Sequence, residues 1–409
     1  MRKESLFKRL SGLFIALLVL VLSALFFTND FGLVDLRKTS VIIGVGIDFE
    51  EDDEMTLTAQ LAVPMPAENG ENTQFTCVTG RGKSVAEALN DVNVKTGFYP
   101  KLVFCKLIVV GESCFDKDIN SQLNYFFSNE YSGLTPKIAA CKGKAGELFS
   151  LQLPYGDSVT DSVDRLLSDE AQKSANVSTV NLNEFGQGYY SKSKASYMPY
   201  IEVSGGSGEQ GQAEGQGGGS QSGGSQGGGE QGKSQSQGGN SGKEVEFFCG
   251  KTAVFNSGIL AGVLSEDQAF AFNLLNGDIR RTYVACGEGE SAVTISIRDC
   301  KGDISLKVEK GVPVLKLSFS AAAKVQDDKA KSNKQRSEGQ TPDEVLRLGE
   351  QTIKGFLEDL YAYTRDIHCD VLGAEDLLYK NQTKYYQALK DSLEKSLTVV
   401  YNINLRSAG

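Results

Sequence analysis

No charged residue interrupts the run from Leu10 to Thr28, whereas beyond Thr39 apolar positions recur at strand or helix spacing almost to the C-terminus. At about 1.5 Å per residue the first run is long enough to cross a bilayer core of about 30 Å. Arg2, Lys3, Lys8 and Arg9 precede it and Asn29 and Asp30 follow, so the positive-inside rule predicts a cytoplasmic N-terminus with everything after Asp30 outside. A cleaved signal peptide is the alternative. The apolar core exceeds the usual h-region of roughly 7 to 15 residues and no A-x-A precedes a polar stretch, which favours a retained anchor.

Residues 39–49, TSVIIGVGIDF, predict a buried β-branched strand, and MTLTAQLAV at 55–63 predicts its partner, stopped by Pro64 and Pro66. Ser84 caps a helix whose apolar face is Val85, Ala88, Leu89 and Val92, with Glu87 completing a capping box. The continuous run LVFCKLIVV, 102–110, predicts a second buried strand closed by Gly111. An amphipathic helix is expected at 116–128 through Ile119, Leu123, Phe126 and Phe127, a strand at 134–143, and helices near 144–153 and 157–171. Further on, 251–264 predicts two short strands about the turn Asn256-Ser257-Gly258, followed by a helix at 265–276. Strands are expected at 291–298, 303–309 and 313–325. Thr341 as N-cap, Pro342 at the first position and Glu344 open a long helix with the stripe Val345, Leu348, Thr352, Phe356, Leu360 and Tyr363. Helix is expected again at 374–394, and a strand from 397 whose Val399, Tyr401, Ile403 and Leu405 alternate.

Between Ser204 and Lys243 the chain is almost wholly Gly, Ser, Gln and Glu, a composition that cannot bury enough apolar surface to offset chain entropy and predicts disorder. As a flexible coil it would reach about 35 Å. An interdomain linker and a long insertion in a surface loop both fit. The fold class that follows is α+β: an N-terminal transmembrane anchor, then two or three mixed sheet and helix domains, the C-terminal one a sheet covered by long helices. The divisions fall at 1–30, 36–203, 204–244 and 245–409, with a further subdivision conceivable near 288.

A chain of 409 residues exceeds one ordinary core. Its net charge of −10 with no basic patch excludes a nucleic-acid partner. The eight cysteines stand singly, without C-x-x-C or Cys/His spacing, so no metal site is expected; buried thiols are favoured over bridges, and Cys105 reads as a small hydrophobe in its strand. The single histidine, His368, has no nucleophile motif beside it and reads as structural. Acidic pairs such as Asp52-Asp53 and Asp327-Asp328 sit in polar turns as solvated charge. No P-loop, nucleophile elbow or cofactor fingerprint occurs, and no residue is assigned a catalytic, cofactor-binding or metal-binding role.

Several separated segments together resemble the spore germination C-subunit, or Ger(x)C, family. The first is Val41-Ile42-Ile43-Gly44-Val45-Gly46-Ile47-Asp48, then Leu57-Thr58-Ala59-Gln60 and Pro64. Ser84 to Leu89, Pro100 to Phe104 and Leu107 to Glu112 continue it; Ala253-Val254-Phe255 with Leu260 to Leu264, and the turn Asp370-Val371-Leu372-Gly373, complete it. The resemblance implies a non-enzymatic subunit that works with A and B subunits in a germinant receptor, most of the chain lying on the outer face of the inner spore membrane. Family members usually carry a lipobox cysteine, whereas Leu25 follows Leu22-Ser23-Ala24 here, so a retained helix replaces a lipid anchor. A membrane-anchored extracellular solute-binding protein is the alternative, but that fold needs two βαβ lobes about a cleft, and consecutive strands followed by helices do not suggest them.

Overall fold

The computed structural model describes residues 14–23, 39–204 apart from 51, 53, 68–69, 129–134, 152 and 154–157, 246–328 apart from 288 and 290–291, and 341–408. A short helix, α1 (residues 14–23), lies within the long apolar run, and its large side chains are all exposed. No helix of the described residues is long and apolar enough to cross a membrane. The remainder of the expected anchor, and the segment expected to be disordered, lie outside the described residues.

The first half runs β1 (Thr39–Phe49), β2 (Met55–Ala67), β3 (Gly70–Gly82), α2 (Val85–Thr96), β4 (Tyr99–Lys101), β5 (Leu107–Val110), α3 (Ile119–Ser128), β6 (Lys137–Cys141), α4 (Ala145–Phe149), α5 (Val159–Leu166), α6 (Asp169–Gln172), α7 (Leu182–Tyr190) and β7 (Ala195–Ser204). After residues 205–245 come β8 (Glu246–Asn256), β9 (Ile259–Leu264), α8 (Glu266–Asn276), β10 (Arg281–Cys286), β11 (Val293–Glu309), β12 (Val312–Asp328), α9 (Asp343–Asp366), α10 (Ala374–Asn381), α11 (Thr383–Leu389), α12 (Leu393–Ser396) and β13 (Thr398–Ser407).

Nine of these strands form one mixed sheet in the order β3-β2-β1-β5-β6-β7-β8-β9, with β4 pairing beside β1; the other four form a second sheet, β10-β11-β12-β13. The fold is thus α+β, as the alternation of patterns predicts. β8 and β9 lie beyond the Gly/Ser/Gln segment, yet they complete the first sheet. Ser204 pairs antiparallel with Glu246, so residues 205–245 leave and rejoin the sheet at neighbouring positions. That is the connectivity of a loop insertion within a hairpin, while the second sheet begins only after α8.

Where patterning carried a single face, the elements match. Val85, Ala88, Leu89 and Val92 are buried and the Ser84 hydroxyl accepts from the Glu87 N–H at 3.3 Å; the Glu87 carboxylate, however, accepts from Lys83 N–H rather than closing the box on Ser84. At Asn256-Ser257-Gly258 the chain reverses with φ of 53° at Ser257 and 82° at Gly258, the left-handed conformations a tight hairpin turn requires.

Four further expectations fail for identifiable reasons. The run 102–110 is not one strand: Leu102 is buried, Val103 and Phe104 are exposed in a turn closed by Cys105 N–H to Leu102 O at 2.9 Å, and pairing resumes only at Leu107. β2 does not stop at Pro64 but continues to Ala67 against β3. Its last partner on β1 is Val41 opposite Ala62, so beyond that point β2 has a free edge on which proline's missing N–H costs nothing. The buried stripe of α9 is Gly349, Ile353, Leu357, Leu360 and Thr364, displaced from the expected one. A side chain at Gly349 would meet Ile295 at 2.7 Å and Leu405 at 2.9 Å, so the bare backbone is what seats the helix on the second sheet. Thr341 is not the N-cap either; Pro342 is, and the Thr341 hydroxyl donates to Ala323 O at 2.9 Å.

The hairpin topology makes the length of the Gly/Ser/Gln segment nearly irrelevant to stability. Shortening it to about ten residues relieves only about 1 kcal/mol of loop-closure entropy, so melting temperatures with and without residues 210–240 should agree within a few degrees. A large drop in the shortened chain would show that the segment packs.

Candidate functional site

Two acidic residues of the sequence motifs, Asp48 and Asp370, cap helices in the structure. On β1, Gly44 and Gly46 leave room for the Phe149 ring of α4, and a side chain at Gly44 would also collide with the Thr160 hydroxyl. The close approach places Asp48, 2% exposed, over the start of α4, where its two carboxylate oxygens accept from Ala145 N–H and Gly146 N–H, each at 2.8 Å. Burial pushes the Asp48 carboxyl above its ordinary range against the pull of those two donors and of Lys144. Lys144 pairs instead with Glu50 at 3.1 Å on the surface.

A second carboxylate does the same work between the two halves of the chain. Asp370 follows α9, and its oxygens accept from Ala374 N–H and Glu375 N–H at 2.8 Å each, capping α10. Gly373, at φ 73°, supplies the left-handed bend that turns those amides toward it. The Ser193 hydroxyl, just ahead of β7, donates to Asp370 at 2.7 Å and accepts from Asp376 N–H at 3.2 Å. Burial raises the Asp370 carboxyl, opposed first by Ser193 and then by the two backbone donors.

Beside this latch opens a cleft of about 460 Å³ between the approach to β7, the β8–β9 turn and the C-terminal helices. Leu315, Leu372, Leu393 and Leu397 give it apolar lining, while Lys192, Lys194, Arg365 and Lys390 face Glu375, Asp391 and Glu394 around it. His368, at φ 51°, stands on the rim with Nδ1 2.6 Å from Glu394 Oε1, and both side chains are largely exposed.

A histidine–carboxylate pair invites a catalytic reading, but the nearby hydroxyl and thiol are otherwise engaged. Ser193 is committed to the latch. Cys369 is buried, its thiol donates to Phe255 O at 3.6 Å, and burial pushes it up to about 12, far from a thiolate at neutral pH. The eight cysteines are unbridged thiols, several of them pushed up to about 12 by burial, including Cys105, which is half-buried in the turn before β5. Among the described residues no group of three or more His, Cys, Asp and Glu side chains could hold a metal ion. Of the acidic pairs, Asp52 is an exposed turn residue and Asp327 is exposed near the end of β12, while Asp53 lies outside the described residues. The cleft offers charges of both signs over an apolar lining, an arrangement suited to holding a polar surface. Ser193, Lys192 and Lys194 carry no sequence signal; only the fold brings them to Asp370.

Two substitutions separate latch from rim. Asp370→Ala strips the acceptor from one hydroxyl and two backbone donors and should cost about 3 kcal/mol in denaturant unfolding, whereas His368→Gln, losing one exposed pair, should leave stability unchanged within about 1 kcal/mol. Equal effects would show that the rim pair carries the packing.

Comparison with known proteins finds one family model, described as the spore germination protein N-terminal domain, over residues 33–203. Another, described as spore germination B3/GerAC like, C-terminal, matches residues 250–408. Spore germination protein B3 of Bacillus subtilis (strain 168) is 26% identical over 121 residues, covering 28% of this chain. The match spans 32%, about a third, of that protein's length. The crystal structure titled as that of the GerBC protein aligns over 90% of this chain and 97% of its own, at 14% identity and a TM-score of 0.48.

Proposed function

The chain belongs to the spore germination GerAC family, and from that premise we propose that it is the non-enzymatic C subunit of a nutrient germinant receptor, assembled with A and B subunits at the inner spore membrane. The observation that carries the reading is the match of both family domains, in order, across 33–203 and 250–408. The local chemistry supports it: the polar groups that could be mistaken for a reaction centre are helix caps and an inter-element latch. Binding surfaces, rather than bond-making groups, are then what the chain contributes.

The N-terminal run Leu10 to Thr28 serves in this reading as the tether, placing the folded part outside the cytoplasm. Leu25 stands where a lipobox would need a cysteine, so no thioether lipid can form there. Intact mass of the mature protein should therefore show the whole N-terminus and no diacylglycerol.

The assembly itself is tested by pull-down from spore membranes, where the integral A and B subunits should accompany this chain. Ile353→Asp, which buries a charge beneath α9 at a fully buried position, should deplete this subunit and its partners together, since an unpaired buried charge costs several kcal/mol. His368→Gln should germinate as the parent does. A His368→Gln receptor at normal abundance that fails to germinate would overturn the non-enzymatic reading.

A further inference from the structure

The break in the run 102–110 turns apolar side chains outward, and they do not stand alone. Among the described residues outside α1, the exposed large hydrophobics are scattered singly except in one stretch of eleven residues: Val94, Phe98, Tyr99, Val103 and Phe104 are each between 44% and 74% exposed. Isolated exposed apolar residues need no explanation, but five within eleven consecutive residues, three of them aromatic, do. The stretch is well built. α2 ends at Gly97, whose φ of 69° and N–H to Asn93 O at 2.8 Å reverse the chain; β4 then pairs with β1, Tyr99 opposite Thr39 and Lys101 opposite Val41. Cys105 N–H to Leu102 O closes the turn that presents Val103 and Phe104. Lys101 Nζ lies over the Tyr99 ring, 5.0 Å from its centre, a cation on an aromatic face.

The position of the cluster identifies what it meets. β4 pairs only with the first residues of β1, so the cluster surrounds the end of the sheet at which the chain arrives from its N-terminal apolar segment. Val63, also exposed, lies at the same level on β2, just past the Val41 to Ala62 pair. The opposite end of β1, with Asp48 and the α4 cap, is about 33 Å away. Only residues 24–38 separate β1 from α1, a reach of at most about 50 Å, so this end of the sheet is the part of the fold that lies first along the chain from a tether in the bilayer. Phe and Tyr with a flanking Lys are residues that settle at the boundary of headgroups and acyl chains.

We propose that the Phe98–Phe104 cluster is a lipid-contact surface, which lays the N-terminal end of the large sheet on the membrane beside the tether. The proposal rests on the anchor reading given above, and its test separates the two. The chain contains no tryptophan, so Phe104→Trp in the full-length protein introduces a single fluorophore at the cluster. Tyr283→Trp, on the second sheet and likewise exposed, is the control. Each variant is reconstituted in phosphatidylcholine–phosphatidylglycerol vesicles with and without lipids brominated along the acyl chain. The protein should float with the vesicles, and bromine should remove about half or more of the Phe104→Trp emission, as for a ring about 5 to 10 Å deep in the interface, while leaving Tyr283→Trp unchanged.

Phe98→Trp gives a second report should Phe104→Trp fold poorly. A protein that does not float overturns the anchor and this proposal with it. One that floats with neither fluorophore quenched, or with both quenched alike, overturns the lipid contact alone. Emission at the cluster that ignores brominated lipid but shifts to the blue when the receptor partners are co-reconstituted assigns the cluster to a protein neighbour, and likewise overturns it.

Discussion

The structure depends above all on the antiparallel pairing of β7 with β8. Between them the chain makes an excursion through residues 205–245, whose Gly/Ser/Gln composition offers almost nothing to bury, and closing a loop of that length costs about 3 kcal/mol. The pairing recovers this because β8 is buried on both faces. Ala253 and Phe255 point into the core of the first sheet, while Val254 between them joins the core shared by α8, α9 and the second sheet. One strand is therefore a wall of two cores, and the family's Ala-Val-Phe element is legible as that alternation. Two matched domains, 33–203 and 250–408, consequently form a continuous sheet across the sequence that separates them.

Apolar packing alone does not fix how the second core sits against the first, since hydrophobic contacts are not directional. Two polar connections supply direction. Ser178 Oγ lies 2.6 Å from Thr252 Oγ1 on β8 and donates to Asn273 Oδ1 on α8 at 2.9 Å, and Asn273 Nδ2 returns to Ala175 O at 2.8 Å, all in buried surroundings. The Ser193–Asp370 latch does the same at the cleft. Buried polar groups that are fully satisfied tolerate one arrangement and penalise its neighbours, because a slip leaves donors and acceptors unpaired in a low dielectric. The docking of the C-terminal helices is set there, and the cleft is a by-product of where the latch holds them.

These two levels differ in how far the sequence displays them. Local periodicity does display β1, α2, the β8–β9 hairpin, α8 and β13, since each buries one face or carries its own turn chemistry. It does not display β3, α7 or β7, whose residues mix polar and apolar side chains without a clean period, nor the short β10, whose alternating buried positions are Thr282, Val284 and Cys286. The α9 stripe is not legible because Gly349 counts as nothing on a hydrophobic scale, although its missing side chain is the reason the helix docks there. The run 102–110 fails for the opposite reason: an unbroken apolar sequence has no period, so nothing local says that Val103 and Phe104 face out. Asp48 and Asp370 are visible as motif positions, and Asp370's cap of residues 374–375 is local, but the partners at 145–146 and at 193 are remote in sequence and only folding brings them together.

The outward-facing Val103 and Phe104 also bear on the membrane. A chain of net charge −10 gains nothing from the negative surface of an anionic bilayer and is repelled within roughly a Debye length of about 8 Å. Electrostatic attraction, the usual second signal that reinforces a single anchor, is therefore closed to the folded part as a whole. Apolar contact is not, since it scales with buried area and ignores the sign of the charge. An exposed aromatic turn would be a solubility liability in a freely diffusing acidic protein. At the end of the sheet nearest the proposed tether, the same side chains would offer the folded part a means of holding a fixed orientation on a lipid surface.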